Sequence, residues 1–307
     1  MSAEKMNLEN ISGHGSTVIR AGERAAPGKE LSEAFSDKKL PLSAESMFRL
    51  QNKTIPRVME RLKTMIGIAT KEDSNFVVGM YSSSNSEEAK ETLSLIYNSS
   101  VPEVKKLGLD LKVTDIDDYN SIPELGQKIR DEEVRDGKNK NLMVIGDRAR
   151  QGLGAKEWTA ENKRRAAGVY GLNTSSATFE NDLYKRWVDD KANSTIDMLG
   201  VPSILSMQFE HMMRTDYRKL KEAFPNKKVH LVYVADNPVM SYAVQELAFD
   251  LTGGKLGVGS RAFDTAGGSA IGGEQFEIDF DEQGEIVKIN YRGMEITKNG
   301  IKNPNLN

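Results

Sequence analysis

The fold of this chain is set by a repeated pattern that is clearest at Asn75-Phe-Val-Val-Gly-Met-Tyr81. This mostly apolar run predicts a buried β-strand, and it is followed by a serine-rich turn at 82–86 and a predicted helix over about 87–97. The same order returns at Val229-His-Leu-Val-Tyr-Val234, which precedes a predicted helix over 239–251. Because strands that alternate with helices pack as a sheet covered by helices, the pattern predicts an α/β fold with a three-layer α/β/α core.

Further segments extend this core toward both ends of the chain. Apolar residues at helical spacing predict a helix from Ser43, the expected N-cap, to Ile66, with Gly67 as the stop signal. Two closing strands flank Asp281-Glu-Gln-Gly284, which is typical of a β-hairpin. The remaining predicted elements are strands at 17–19, 109–113, 141–145, 275–280 and 286–291, and helices near 123–135 and 202–224.

The chain divides into a core and an insertion. Residues 1–14 are polar and aperiodic, as in a flexible arm. Between about 148 and 200 the sequence is rich in Lys, Arg, Asn and Ala with weak helical periodicity, which favours a helical cap inserted into the core. We therefore expect an α/β core made of 15–147 and 201–295, with a tail over 296–307.

Composition limits the partners and the compartment. The net charge of -3 comes from 42 basic and 45 acidic side chains, so no overall field attracts polyanions and nucleic acid is not expected as a partner. The chain has no cysteine, which excludes disulfides and thiolate metal sites. No signal peptide and no run of the ~18 apolar residues that span a bilayer is visible, so we expect a cytoplasmic protein without membrane contact, with non-classical export as the alternative.

An arginine-rich loop follows the first predicted strand, in the stretch Thr17-Val-Ile-Arg-Ala-Gly-Glu-Arg-Ala-Ala-Pro27. It resembles the Arg-His-Gly-x-Arg signature of the histidine phosphatase superfamily, with Ala21 where that family has its nucleophilic histidine. In the family the imidazole attacks phosphorus while arginines hold the phosphoryl oxygens. The resemblance implies that Arg20 and Arg24 bind an anionic group that the chain cannot attack. Without the resemblance, two arginines after a strand are more commonly only solvated.

A second match lies at Val232-Tyr-Val-Ala-Asp-Asn-Pro-Val-Met240, which resembles the late His-Asp motif of the acid phosphatase and phytase branch. Ala235 replaces the histidine, and Asp236 retains the residue that donates a proton to the leaving alcohol in that branch. A carboxyl group at the carboxyl end of a strand suits a general acid. The alternative role for Asp236 is an Asx-turn or the N-cap of the following helix.

A third match is Ser83-Ser-Asn-Ser-Glu-Glu-Ala-Lys-Glu-Thr92, which resembles a family segment that carries an arginine. Glu88 occupies the arginine position. A carboxylate ~4 Å from a phosphoryl group would oppose binding by several kcal/mol at low effective dielectric, so Glu88 argues against ordinary turnover. The resemblance covers roughly 15–95 and 198–295, including the C-terminal hairpin, and leaves out the cap.

Other polar motifs favour structural roles. We expect His14 in a surface loop, His211 as a packing or surface residue and His230 as a satisfied core residue, and no pair of these has the spacing of metal ligands. Neither a metal nor a cofactor is expected. The Asp-x-Asp pattern in Thr114-Asp-Ile-Asp-Asp118 is interpreted as a chance occurrence. Gly253-Gly-Lys-Leu-Gly-Val-Gly259 is interpreted as a flexible connection, and Asn162-Lys-Arg-Arg165 as a solvated helix face.

Three functions remain open at this point. The preferred one is a catalytically impaired histidine acid phosphatase-like protein, a pseudo-phosphatase. It would bind a phosphorylated small molecule, inorganic phosphate or a protein partner through Arg20 and Arg24, which face Asp236 across a cleft. The second is an active phosphomonoesterase with an unmatched nucleophile, or one inactivated by deliberate replacement of both histidines. The third is an unrelated α/β interaction protein. If the resemblance to the family is real, Arg20, Glu88 and Ala235 should lie together in one pocket. The sequence leaves the oligomeric state open.

Overall fold

A computed structural model of the 307-residue chain describes residues 13–23, 42–72, 74–82, 86–107, 109–116, 119–147, 160–176, 178–235, 237–254, 270 and 272–302. The strands are β1 (Gly15–Arg20), β2 (Asn75–Ser82), β3 (Leu111–Ile116), β4 (Asn141–Asp147), β5 (Lys227–Ala235), β6 (Gln275–Phe280), β7 (Ile286–Tyr291), β8 (Met294–Thr297) and β9 (Gly300–Lys302). The α-helices are α1 (Ala44–Arg49), α2 (Ile55–Lys71), α3 (Glu87–Lys105), α4 (Ile122–Asp136), α5 (Ala160–Tyr170), α6 (Phe179–Val188), α7 (Ile196–Leu199), α8 (Pro202–Ala223) and α9 (Asn237–Leu251). Within these ranges no helix is both long and apolar enough to cross a membrane.

One sheet organises the whole structure. Its nine strands lie in the order β3-β4-β2-β5-β1-β6-β7-β8-β9. The five strands from β3 to β1 pair in parallel, and β6 to β9 add an antiparallel meander to β1. Strands β2 and β5 are buried almost throughout because helices cover both of their faces.

Helices cover the sheet on two sides, and each side has its own apolar core. One core joins the sheet to α4, α8 and α9, and includes Phe209, Met213 and Tyr233. The other joins it to α2 and α3, and includes Leu62 and Val78. The predicted three-layer α/β/α arrangement is therefore confirmed.

The predicted helix over 43–66 is longer than expected and contains a π-turn. Ser43 is the N-cap, as predicted, and its hydroxyl accepts a hydrogen bond from the Ser46 N–H at 3.1 Å. A π-helical turn, Leu50–Thr54, separates α1 from α2. Gly67 does not stop the helix, which continues to Lys71. The reason is packing, since the apolar face of α2 continues to Ala69, which is buried, and this outweighs the ~1 kcal/mol cost of a helical glycine.

The predicted cap region is helical in its described part. Helices α5, α6 and α7 share a small core that includes Tyr184, Trp187 and Leu199. This core also contains Leu205 of α8 and Tyr242 of α9, so the insertion packs on two helices of the main layer. The boundaries of the cap and of the core stay predictions.

The C-terminal hairpin was predicted correctly, but the sheet does not end there. The segment from residue 296, expected as a tail, carries the second half of β8 and all of β9, and both strands pair in the sheet. Short strands of this kind are hard to find from sequence because they hold only one or two apolar residues each. Met294 and Ile296 are the buried residues that attach β8 to the core.

The expectation that His14 lies in a surface loop was wrong. The side chain is fully buried, at the amino-terminal edge of the sheet. Its Nδ1 accepts a hydrogen bond from the Val229 N–H at 3.0 Å, so the proton of the neutral ring lies on Nε2, which donates to Glu282 at 3.2 Å. Burial, together with the charge of Lys221, lowers the pKa of His14 from 6.5 to about 4. The residues that enclose this position, among them Tyr217, Val229 and Glu282, are distant in the chain, so local sequence does not reveal its burial.

His230 was correctly predicted to be a core residue. It is buried in β5, and its Nε2 lies 3.1 Å from the Thr17 hydroxyl. Burial and the nearby charge of Arg61 place the pKa of His230 well below its usual value. Both histidines therefore favour the neutral form in the folded protein.

A row of buried charges lies between α2 and the antiparallel half of the sheet. Arg61 of α2 forms an ion pair with Asp279 of β6, and Asp279 also pairs with Lys288 of β7 at 2.9 Å. One turn earlier on α2, the Arg57 Nε donates to Glu277 of β6 at 2.9 Å. The side chains of Arg61 and Asp279 are at most 3 % exposed, so their pair is isolated from water, whereas the pair of buried Glu277 with Arg57 is reached by water because Arg57 is 45 % exposed.

His14 is expected to make folding stability depend on pH. A pKa lowered from 6.5 to about 4 means that its contribution is complete above pH 6.5 and is lost as the pH falls toward 4, because protonation of Nδ1 removes the acceptor of the Val229 N–H. In His14→Asn the amide oxygen takes over the acceptor role without titrating. Urea unfolding at pH 7, 5.5 and 4 should show the wild type losing on the order of 2 kcal/mol more than this variant. His211 is exposed, so His211→Asn is the control and its stability should depend on pH as that of the wild type does. If the stability of His14→Asn also fell with pH as much as that of the wild type, His14 would not be the group responsible.

Asp279→Asn should be strongly destabilising, because it leaves two cations, Arg61 and Lys288, without their shared counter-ion. Removing one partner of a buried ion pair costs about 3–5 kcal/mol. Glu103→Gln breaks the exposed pair with Lys106 and should change the free energy of unfolding by less than about 1 kcal/mol. Urea denaturation of both variants measures the two changes in the free energy of unfolding. Equally small changes would show that the buried charges do not contribute to stability.

Candidate functional site

The candidate site lies where three neighbouring parallel strands end. Strands β2, β5 and β1 finish at Ser82, Ala235 and Arg20, and the register pairs Arg20 directly with Ala235. The carboxyl ends of parallel strands meet at one edge of a sheet, which is the usual place for ligand sites in α/β folds. Two of the three motif positions, Arg20 and Ala235, are therefore adjacent.

Arg20 is held by contacts within the chain. Its Nη1 donates to the carbonyl oxygen of Ala270, and its Nη2 lies 2.7 Å from the Glu23 carboxylate. Its side chain is 9 % exposed, whereas that of Glu23 is 50 % exposed. An arginine has five N–H donors, and its contacts with the described residues leave some of them for another acceptor. The nearest competitor for such an acceptor is Glu23.

The two alanines singled out by the motif resemblance, Ala21 and Ala235, are joined through their backbones. The Ala21 N–H donates to the Ala235 carbonyl at 2.8 Å. Their methyl groups pack on opposite sides of the sheet, Ala21 with the α2 and α3 core and Ala235 with the α8 and α9 core. Neither position offers a nucleophile or a titratable group.

Glu88 lies in the first turn of α3, directly after β2, and is half-buried. One turn later on the same helix, the Thr92 hydroxyl accepts a hydrogen bond from the Gly22 N–H at 2.9 Å. Residues four apart share a helix face, so Glu88 is on the side of α3 that contacts the loop after β1. An acidic residue in a first turn also interacts favourably with the helix dipole, which gives Glu88 a structural role as well.

Two predicted site residues, Arg24 and Asp236, lie outside the described residues. Their roles stay predictions. The same holds for part of the Asp-x-Asp motif and for most of the glycine-rich segment from 253 to 259. Arg164 and Arg165 of the basic patch are exposed on α5, as expected for a solvated helix face. Among the described residues, no group of three or more His, Asp or Glu side chains is arranged to hold a metal ion.

Sequence reasoning missed three residues that shape the loop after β1. The Ser46 hydroxyl accepts a hydrogen bond from the Glu23 N–H at 2.8 Å, and Thr92 fixes Gly22 from the other side. Glu23 itself pairs with Arg20. The contacts of Thr92 and Glu23 depend on tertiary packing, which the local sequence does not encode.

Comparison with known proteins gives little beyond this geometry. No protein-family model and no curated protein matches the chain. Among solved structures, the chain is similar to a phosphoglycerate mutase from Bacillus anthracis str. Sterne, with 13% sequence identity, 91% of this chain and 92% of that chain covered, and a TM-score of 0.40. At this level the likeness carries no functional argument.

Thr92→Val should loosen the loop after β1, because it leaves the buried Gly22 N–H without its acceptor. The loss of a buried hydrogen-bond partner costs about 1–3 kcal/mol. Thr70→Val, at an exposed position of α2, is the matched control and should be nearly neutral. Thermal unfolding measures the first effect, and amide hydrogen exchange at Gly22 should rise only in Thr92→Val. Unchanged exchange there would contradict the contact.

Proposed function

We propose that this chain is a catalytically impaired histidine phosphatase-like protein that binds an anionic group at the carboxyl edge of its sheet. The ligand is inorganic phosphate or a phosphorylated small molecule, and Arg20 is its main anchor, with Arg24 and Asp236 as further members of the site. The observation that supports this best is the neighbourhood of Arg20: an arginine at a sheet edge between two alanines, Ala21 and Ala235, whose backbones are bonded to each other.

The absence of a nucleophile argues for binding without turnover. Loss of a covalent nucleophile lowers catalytic rates by orders of magnitude, whereas binding by arginine electrostatics survives it. The positions that resemble the family's two histidines hold methyl groups, and Glu88 adds negative charge near the edge. The site therefore retains the means to attract a phosphoryl group and, at Ala21 and Ala235, lacks a side chain that could form a phosphoenzyme.

Glu23 lowers the affinity of Arg20 for an anionic ligand. Its carboxylate occupies one face of the Arg20 guanidinium at 2.7 Å, so an incoming anion has to compete with it. Because Glu23 is half-exposed, this pair is weak, and an anion with two charges can displace it. Binding of phosphate is therefore modest in the wild type and stronger when the carboxylate is removed.

The experiment is a titration of the full chain with inorganic phosphate, followed by ³¹P line broadening and calorimetry. Arg20→Gln should weaken phosphate binding about tenfold or more. Arg20→Lys should have an affinity between those of the wild type and Arg20→Gln, because lysine keeps the positive charge but cannot donate two parallel hydrogen bonds as a guanidinium does. Glu23→Gln should tighten binding about two- to fivefold. Arg164→Gln, an exposed arginine on α5, is the matched control and should leave binding unchanged.

A parallel assay with p-nitrophenyl phosphate tests the impaired activity. We expect no turnover by the wild-type chain. Turnover that disappears in Arg20→Gln would overturn the pseudo-phosphatase and establish an active phosphomonoesterase. Phosphate binding that is equal in Arg20→Gln, Glu23→Gln and Arg164→Gln would remove Arg20 from the site.

A further inference from the structure

A second basic site lies beside this edge, and Arg20 is not among the residues that line it. A cavity of about 210 Å³ opens between the π-turn, the start of α2 and the start of β6. Among the described residues that line it, four are basic, Arg49, Lys53, Arg57 and Arg292, and one is acidic, Glu274. We propose that this cavity binds a compact polyanion, a diphosphate group carried by a small molecule.

The basic side chains form a stripe along one helical face. Arg49, Lys53 and Arg57 follow each other at intervals of four residues, so they project from the same side of the helix. Like charges at this spacing destabilise a helix in the absence of counter-ions. Lys53 has no ion-pair partner within the described part of the chain, although the neighbouring carboxylates serve both arginines. The described carboxylates therefore leave part of the positive charge of the stripe without a counter-ion.

The arginines keep donors free for a ligand. Arg57 uses only its Nε, for Glu277 at 2.9 Å, and in the described structure its two terminal nitrogens have no acceptor. Arg49 uses only its Nη2, for the exposed Glu45 at 2.6 Å. Two guanidinium groups with open donors and one free ammonium group are the combination that binds phosphate oxygens.

The walls of the cavity are fixed before any ligand arrives. The Thr54 hydroxyl donates to the Gly273 carbonyl, which joins the π-turn to β6, and Gly273 has a φ of 78° that favours glycine. On the opposite wall, both oxygens of Glu274 accept hydrogen bonds from Arg292, at 2.5 and 2.8 Å. Glu277, which orients Arg57, is buried and also accepts from Gln275 at 3.1 Å. π-Turns of this kind are frequent at functional sites.

Size and spacing favour a diphosphate over a single phosphate. Successive members of the stripe are about 5–6 Å apart at Cβ, so one phosphate reaches two of them and two linked phosphates reach all three. The cavity of 210 Å³ is several times the roughly 30 Å³ that one water occupies in the liquid. Glu274 repels further negative charge on the β6 side, which directs the anion toward the helix stripe.

The test is calorimetric titration of the full chain with pyrophosphate. We expect binding by the wild type. In an Arg20→Gln background, where the site proposed above no longer contributes, Lys53→Gln should weaken binding roughly five- to tenfold and Arg49→Gln/Lys53→Gln should abolish it. Lys63→Gln, on an exposed part of the same helix, is the matched control and should bind as the wild type does. Arg20→Gln should also bind normally, which separates this site from the one proposed above.

Three outcomes would overturn the inference. The first is no binding of pyrophosphate to the wild type, and the second is an equal loss in Lys53→Gln and Lys63→Gln. The third is tighter binding of citrate than of pyrophosphate, which would assign the cavity to carboxylates. Thermal melting of each variant without ligand shows whether it is folded, and the exposure of Lys53 and Lys63 makes both substitutions compatible with the fold.

Discussion

The buried ion pairs between α2 and β6 constrain the rest of the structure. Strand alternation puts Gln275, Glu277 and Asp279 on one face of β6, where an apolar layer would leave two carboxylates without compensation. Arg57 and Arg61, one turn apart on α2, supply that compensation. The helix therefore has one permitted position and rotation over the sheet, because a shift by one residue would separate every pair.

This fixed helix positions the edge where both proposed sites lie. The π-turn before α2 is tied to Gly273 through Thr54, and α1 is tied to the loop after β1 through the contact of Ser46 with Glu23. Glu23 in turn holds Arg20. A continuous set of contacts thus runs from the buried charges to the arginine at the sheet edge, and the local geometry of that arginine depends on long-range pairing.

The sequence predicts the layers of this fold well because the parallel strands are buried on both sides and appear as apolar runs, as at Asn75–Ser82 and Lys227–Ala235. It is less reliable where polar residues are buried, since it identified the burial of His230 but not that of His14. His14 and Asp279 look like surface residues until the partners that enclose them, distant in the chain, are known. In the candidate site, motif resemblance located Arg20, Ala21 and Ala235 next to each other, but the pairing of Arg20 with Glu23 follows from side-chain geometry that no spacing encodes.

The order of the strands also bears on how copies of this protein behave toward each other. An open sheet has two outer strands whose unpaired backbone groups can recruit a strand from another molecule. Here one outer strand, β9, is only three residues long and ends in Lys302, which is 82 % exposed. The other, β3, carries the charged side chains Lys112 and Asp115 among its six residues. Short length at one border and charge at the other protect this wide sheet against edge-to-edge polymerisation.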